Sequence, residues 1–200
     1  MKKCNTLNLL IVTVSLFHST GGSRAYAASE PFDQVYHTTT SSALDVWEIR
    51  CPNVKKRTTE YRNIFFRDGD VITIEAGGCV QTGGIGKTWK RYVDPRGPNS
   101  GKLYHGLIRL PNGSPDLPKS PTVKELVRLS DVIAAQANGV KLQFKDSKKF
   151  DSLEPTWLVL GYEDDGYGDN GYWGHDDGTS DQCKREGAAW IRIKIEHRQQ

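Results

Sequence analysis

The chain has little excess charge of either sign, and what it has sits at one end. Its 200 residues carry 27 lysines and arginines against 24 aspartates and glutamates, a formal +3. Lys2, Lys3 and Arg24 lie in residues 1–27, which contain no acidic side chain, so 24 basic residues face 24 acidic ones in the remainder. A chain without a basic field lacks the footprint of a nucleic-acid binder. The short runs Lys55-Lys56-Arg57 and Lys148-Lys149 read as solvated loops. Long hydrophobic stretches are also missing. The apolar run at residues 7–17 is too short for a bilayer, which needs about 20 residues. It follows two lysines and precedes Ala25-Tyr26-Ala27, the pattern of a secretory signal. The expected organisation is a signal over 1–27, a polar extension over 28–42 and one β-sandwich domain over 43–200, secreted or periplasmic.

Cysteine is scarce, with four in all. Cys4 falls inside the signal. Cys51, Cys79 and Cys183 show no C-x₂₋₄-C spacing, which excludes the usual zinc sites. Export predicts one disulfide among these three, and all three pairings stay open. Cys51–Cys79 has a slight edge, because each cysteine follows a strand pattern. No internal repeat is visible. The segment from Gly83 to Thr88 lacks the spacing of a phosphate-binding loop.

Short strand patterns fill most of the chain. Residues 44–51 alternate imperfectly, and residues 63–66 form a second apolar run. The Asp68-Gly69 step predicts a hairpin turn. Residues 71–74 are β-branched throughout and read as a buried strand. Residues 107–110, 140–144 and 157–161 add further strands. Residues 190–196 alternate apolar and charged side chains over their whole length, the mark of a half-exposed strand. Apolar positions at Leu126, Leu129, Ile133 and Ala137 fit a short amphipathic helix within 120–138, or two irregular strands. The class expected is all-β, a jelly-roll-like antiparallel sandwich. A long glycine-rich segment, 76–106, is interleaved with Trp89, Tyr92, Tyr104 and His105, and a loop of that length is usually functional.

The densest chemistry lies in residues 161–173, GYEDDGYGDNGYW, directly after an apolar strand. Carboxylates crowded on one turn repel unless a cation lies between them. Ca²⁺ takes 6–8 oxygen ligands from carboxylates, amides and backbone carbonyls, and glycine lets the backbone turn its carbonyls inward. The loop reads as half of a calcium site.

The order of Gly69-Asp-Val-Ile-Thr-Ile74, Ala76-Gly-Gly78, Gly106-Leu-Ile108 and the strand leading into the acidic loop resembles the PA-IL-like calcium-dependent galactophilic lectins, over roughly residues 67–197. The resemblance implies a small jelly-roll sandwich that binds galactose through Ca²⁺ without catalysing a reaction. Residue by residue, it implies side-chain oxygens from Asp164, Asp169 and Asn170. It also implies backbone carbonyls from Thr82 and near Gly166. The sugar would meet Asp164, Asp169 and the polar side chain before Gly106-Leu-Ile108, which is His105. The departures are Asp169 where the family has asparagine, the added Asp165, an insertion between Leu110 and Lys141, and a longer hairpin at 175–183. Galactose-containing glycans are the expected partners, oligomerisation is open, and Trp89, Tyr104 and Trp173 are candidate aromatic faces for a sugar. Two other readings compete. One is a glycoside hydrolase using Glu163, Asp164 and Asp169, which would need two carboxylates roughly 5–10 Å apart across the bond. The other is a partner-binding sandwich in which calcium only stiffens a loop.

Overall fold

The structure, a computed structural model, describes residues 32–84, 86–145 and 157–198. The signal expected at 1–27 and the Lys148-Lys149 run lie outside the described residues. In chain order the elements are β1 (Gln34–Ser41), β2 (Leu44–Arg50), β3 (Thr58–Phe65), β4 (Val71–Gly77), β5 (Cys79–Thr82), β6 (Trp89–Arg91), β7 (Gly106–Ile108), β8 (Val127–Arg128), α1 (Leu129–Ala137), β9 (Leu142–Gln143), β10 (Trp157–Tyr162), β11 (Asn170–Gly171) and β12 (Trp190–Glu196). They form an all-β antiparallel sandwich with one short α-helix. A five-stranded sheet runs β1-β2-β12-β4-β9, a four-stranded sheet β3-β10-β7-β8, and a small third sheet β11-β5-β6. No helix among the described residues is long and apolar enough to cross a membrane.

Side-chain alternation explains the large sheet. Ile191, Ile193 and Ile195 of β12 are buried, while Trp190, Arg192 and Lys194 face outward. Ile49 on β2 and Ile72 and Ile74 on β4 complete the inner face and join a core with Tyr61, Ile64, Ile108, Leu158 and Leu160. Outside, the charges are paired across strands. Arg192 bridges Glu48 at 2.8 Å and Glu75 at 3.4 Å, and Lys194 reaches Glu75 at 2.6 Å.

Strand β10 has no polar alternation because both its faces are covered. Its outer face, with Val159, packs on Leu107 of β7 and on Val123 and Leu126 of the insertion. A strand buried on both sides reads as a continuous apolar run. The approach is close at Gly161, where a Cβ would lie 2.5 Å from Leu126 Cδ1 and 2.7 Å from the Arg57 carbonyl oxygen.

Three sequence expectations need correcting, and the short helix expected within 120–138 is present. Residues 34–41 of the polar extension form β1, paired in register with β2. The Asp68-Gly69 turn makes no hairpin, since β3 and β4 belong to different sheets; it is a corner whose Asp70 carboxylate accepts the Arg67 N–H at 2.7 Å. The helix begins only at Leu129, because Val123 and Leu126 cover β10 instead. Its Gln136 bonds the Ile74 N–H at 3.2 Å and so serves the edge of β4 beyond its short pairing with β9. The disulfide joins Cys79 to Cys183, not to Cys51.

The same corner holds a histidine. His197 lies between Asp70, 3.0 Å from Nδ1, and Asp45, 3.0 Å from Nε2. Carboxylates only accept, so both ring nitrogens donate and the ring is the imidazolium. The hydrogen bond to Asp45 is the main reason its pKa is raised. Burial alone would raise the Asp45 pKa, but bonds from His197, His37 and Thr39 outweigh it and lower that carboxyl. The histidine contribution is therefore complete below the ordinary histidine value of about 6.5 and is lost as pH rises through the raised one. The Asp45 contribution is lost on acidification through its lowered value. In a melting series, His197→Gln should melt about 3–6 °C below wild type near pH 6, with the gap closing at alkaline pH. A gap constant with pH would contradict the charged bridge.

Candidate functional site

Three segments meet at one end of the sandwich: the exit of β10, the β5 end and the short strand β11. The small third sheet sets the geometry. Asn170 of β11 faces Thr82 of β5 in register. The Thr82 hydroxyl and N–H both bond the Thr88 carbonyl, at 2.7 and 3.3 Å, which closes the glycine turn between β5 and β6. Gly83 sits in that turn at φ +82°, and a Cβ there would lie 1.9 Å from Asp169 Oδ2. The Asp169 carboxylate therefore lies against the β5 turn, and glycine is needed for both the conformation and the approach.

Asp164 is 7 % exposed. Its Oδ1 accepts the N–H groups of Asp165 at 2.7 Å and Gly166 at 3.1 Å, folding the start of the acidic loop. Its Oδ2 is buried and has no hydrogen-bond partner. Asn170 is fully buried; its Nδ2 donates to the Val54 carbonyl at 3.0 Å, and its Oδ1 likewise has no partner. The Asn170 amide lies close enough to the Asp164 carboxyl to lower its pKa, though not in the geometry of a hydrogen bond. Burial pushes that carboxyl above the usual range, opposed by the Gly166 N–H and the Asn170 side chain. A divalent cation beside it would reverse the direction.

Of the residues expected to supply oxygens, Asn170 is paired with Thr82 and lies beside Asp164, Asp169 is exposed with its carboxylate against the neighbouring Gly83, and Gly166 is exposed on the acidic loop. Two partnerless buried oxygens beside a second carboxylate fit a hard, oxygen-seeking cation. No group of three or more His, Cys, Asp or Glu suited to a metal occurs among the described residues.

His105 lies elsewhere. Gly106 pairs with Tyr162, and the ladder runs on, with the Glu163 N–H to the His105 carbonyl at 2.9 Å and the Tyr104 N–H to the Glu163 carbonyl at 2.7 Å. Successive residues face opposite ways, so His105 shares a side with Glu163, and Tyr104 shares one with Asp164. His105 is 8 % exposed and donates from Nε2 to the Ser100 carbonyl at 2.7 Å. Burial lowers its pKa. Half-buried Tyr104 instead feels the charges of Asp164, Asp165 and Asp169, which reinforce burial in raising its phenol pKa. It holds φ +74°, uncommon for a bulky side chain. The Lys90 ammonium lies 5.5 Å from its ring centroid.

The other aromatic candidates are committed to structure. Trp89 is 2 % exposed, bonds the Gly174 carbonyl and packs on His175. Trp173 lies on Gly171, with the Lys55 ammonium 4.9 Å from its ring centroid.

Sequence reasoning missed the environment of Glu163. This carboxylate is 0 % exposed. Ser120 donates to Oε1 at 2.6 Å, and Arg128 Nε donates to Oε2 at 2.9 Å. Alternation would have placed Glu163 opposite Asp164, but no local signal marks partners 43 and 35 residues away. No family model matches this chain, and no curated protein or solved structure does.

Proposed function

We propose that this chain is an exported calcium-dependent carbohydrate-binding protein of the galactose-binding kind, which carries out no reaction. The observation that carries the reading is the pair of buried, partnerless oxygens, Asp164 Oδ2 and Asn170 Oδ1, beside Asp169 and the in-register Thr82. Calcium bound there would supply an electrophilic centre on which vicinal hydroxyls replace water. The chain's own part is to present Asp164, Asp169 and Asn170 side-chain oxygens with carbonyls from Thr82 and the Gly166 turn. Asp164 and Asp169 accept hydrogen bonds from sugar hydroxyls, each contributing about 1.5–3 kcal/mol before desolvation. Tyr104 offers the aromatic face beside them for an apolar C–H patch. The Cys79–Cys183 disulfide suits an oxidising compartment.

The hydrolase reading is weaker on one observation. Glu163 is buried and held by Arg128 and Ser120, so it is poorly placed to shuttle a proton to solvent. A glycan array probed with calcium and again with chelator tests the proposal. Galactosides bound only with calcium support it. Silence together with calcium-dependent stabilisation would select the partner-binding sandwich instead.

A further inference from the structure

We infer that the 111–140 insertion acts as the support of the binding loop, with Arg128 its positioning residue, holding Glu163 so that the adjacent Asp164 faces Asn170 and Thr82. This rests on the calcium reading of that loop.

Glu163 is the hinge between the sandwich and the site. Its backbone is pinned on both sides, to His105 and to Tyr104. Its side chain points toward the insertion, where Ser120 and Arg128 take one oxygen each. Because neighbours in an extended chain face opposite ways, fixing Glu163 toward the insertion fixes Asp164 toward Asn170.

Arg128 does more than neutralise a charge. It is the last residue of β8, paired with Leu107 of β7, and β7 is in turn the neighbour of β10, the strand that leads into the binding loop. Its second arm donates from an Nη to the Gly101 carbonyl at 3.2 Å, and the neighbouring Ser100 carbonyl receives His105. One planar guanidinium thus joins the insertion, the 100–105 loop that presents Tyr104 and the exit of β10. Its fork can bond two directions at once, which an ammonium does less well. Ser120 adds rigidity, since its hydroxyl also accepts the Val123 N–H at 3.0 Å.

The test separates positioning from stability. Calcium affinity is measured by calorimetry on the full chain, with terbium as a luminescent substitute sensitised by the nearby Tyr104. Arg128→Met should weaken both ions about tenfold or more, Ser120→Ala should do so less, and Arg128→Lys should recover part of the loss. Leu126→Ala is the control. It lies in the same insertion and is buried over β10 against Gly161, but its apolar side chain offers Glu163 no hydrogen bond, so the change should lower the melting temperature and leave affinity unchanged. If Arg128→Met does not fold, Glu163→Gln combined with Arg128→Met, which leaves no buried charge, should fold and still bind weakly. Affinities for Arg128→Met and Ser120→Ala equal to wild type would overturn the inference, as would an equal loss in Leu126→Ala. A wild type that binds neither ion would instead sink the calcium reading beneath it.

Discussion

Asp164→Asn should make the calcium-free protein no less stable than wild type while removing its response to calcium. The change keeps an oxygen for the Asp165 and Gly166 N–H groups. It deletes a buried charge whose second oxygen has no partner. Burying an unpaired charge is costly, so relief of that cost should offset any loss of packing. Wild type should behave in the opposite way when the metal is added. With calcium at a hundred times its dissociation constant, linkage contributes about 2.7 kcal/mol, a rise of about 5–11 °C in a chain of this size. The variant should show almost none of that rise, and retention on galactose resin should disappear with it. Thermal scans of both proteins with calcium and with chelator decide the matter. An equal rise in both would show that Asp164 is not a ligand.

Replacing both Cys79 and Cys183 with alanine should bring the largest loss of stability. The bond closes a loop with a sequence separation of 104 residues, for which chain entropy predicts a loss of about 3–5 kcal/mol, or about 6–20 °C in melting temperature. The effect should reach the site as well. Cys79 begins β5, whose last residue is Thr82, while Cys183 ends the 175–183 loop, where Asp176 accepts the Thr88 and Trp89 N–H groups at 2.7 and 3.2 Å. Loosening that loop loosens the turn that carries Gly83 and packs against Asp169, so calcium affinity should fall with stability. Denaturant unfolding at unchanged slope, followed by calcium titration, measures both. A midpoint equal to wild type would show that the tight packing of β5 suffices without the bond.

The elements that could be read from the sequence are those whose neighbours impose a simple pattern. Residues 190–196 alternate because one face of β12 is core and the other a charge ladder. Residues 71–74 and 157–161 are continuously apolar or β-branched, and both form strands as expected. Asn170 lies opposite Thr82 in register, and the resemblance to the lectins had assigned both residues to one site. What stayed hidden depends on contacts distant in sequence. Cys79 is carried to Cys183 by a bridge to Ala188 and a bond to the Gly187 carbonyl, and nothing near either cysteine encodes that. Val123 and Leu126 have helical spacing but cover a sheet. The choice between His105 and Tyr104 turned on one residue of register, and such a shift exchanges the two faces of a strand.

Strand β12 comes last in order among the described strands, yet lies between β2 and β4 in the large sheet. Until residues 190–196 arrive, β2 and β4 each have an unsatisfied edge where their common neighbour belongs. Closing this sheet therefore brings together segments more than a hundred residues apart, the kind of topology that folds slowly. A nascent chain would carry two unpaired β edges until residues 190–196 are made, so late closure of the large sheet is built into the strand order.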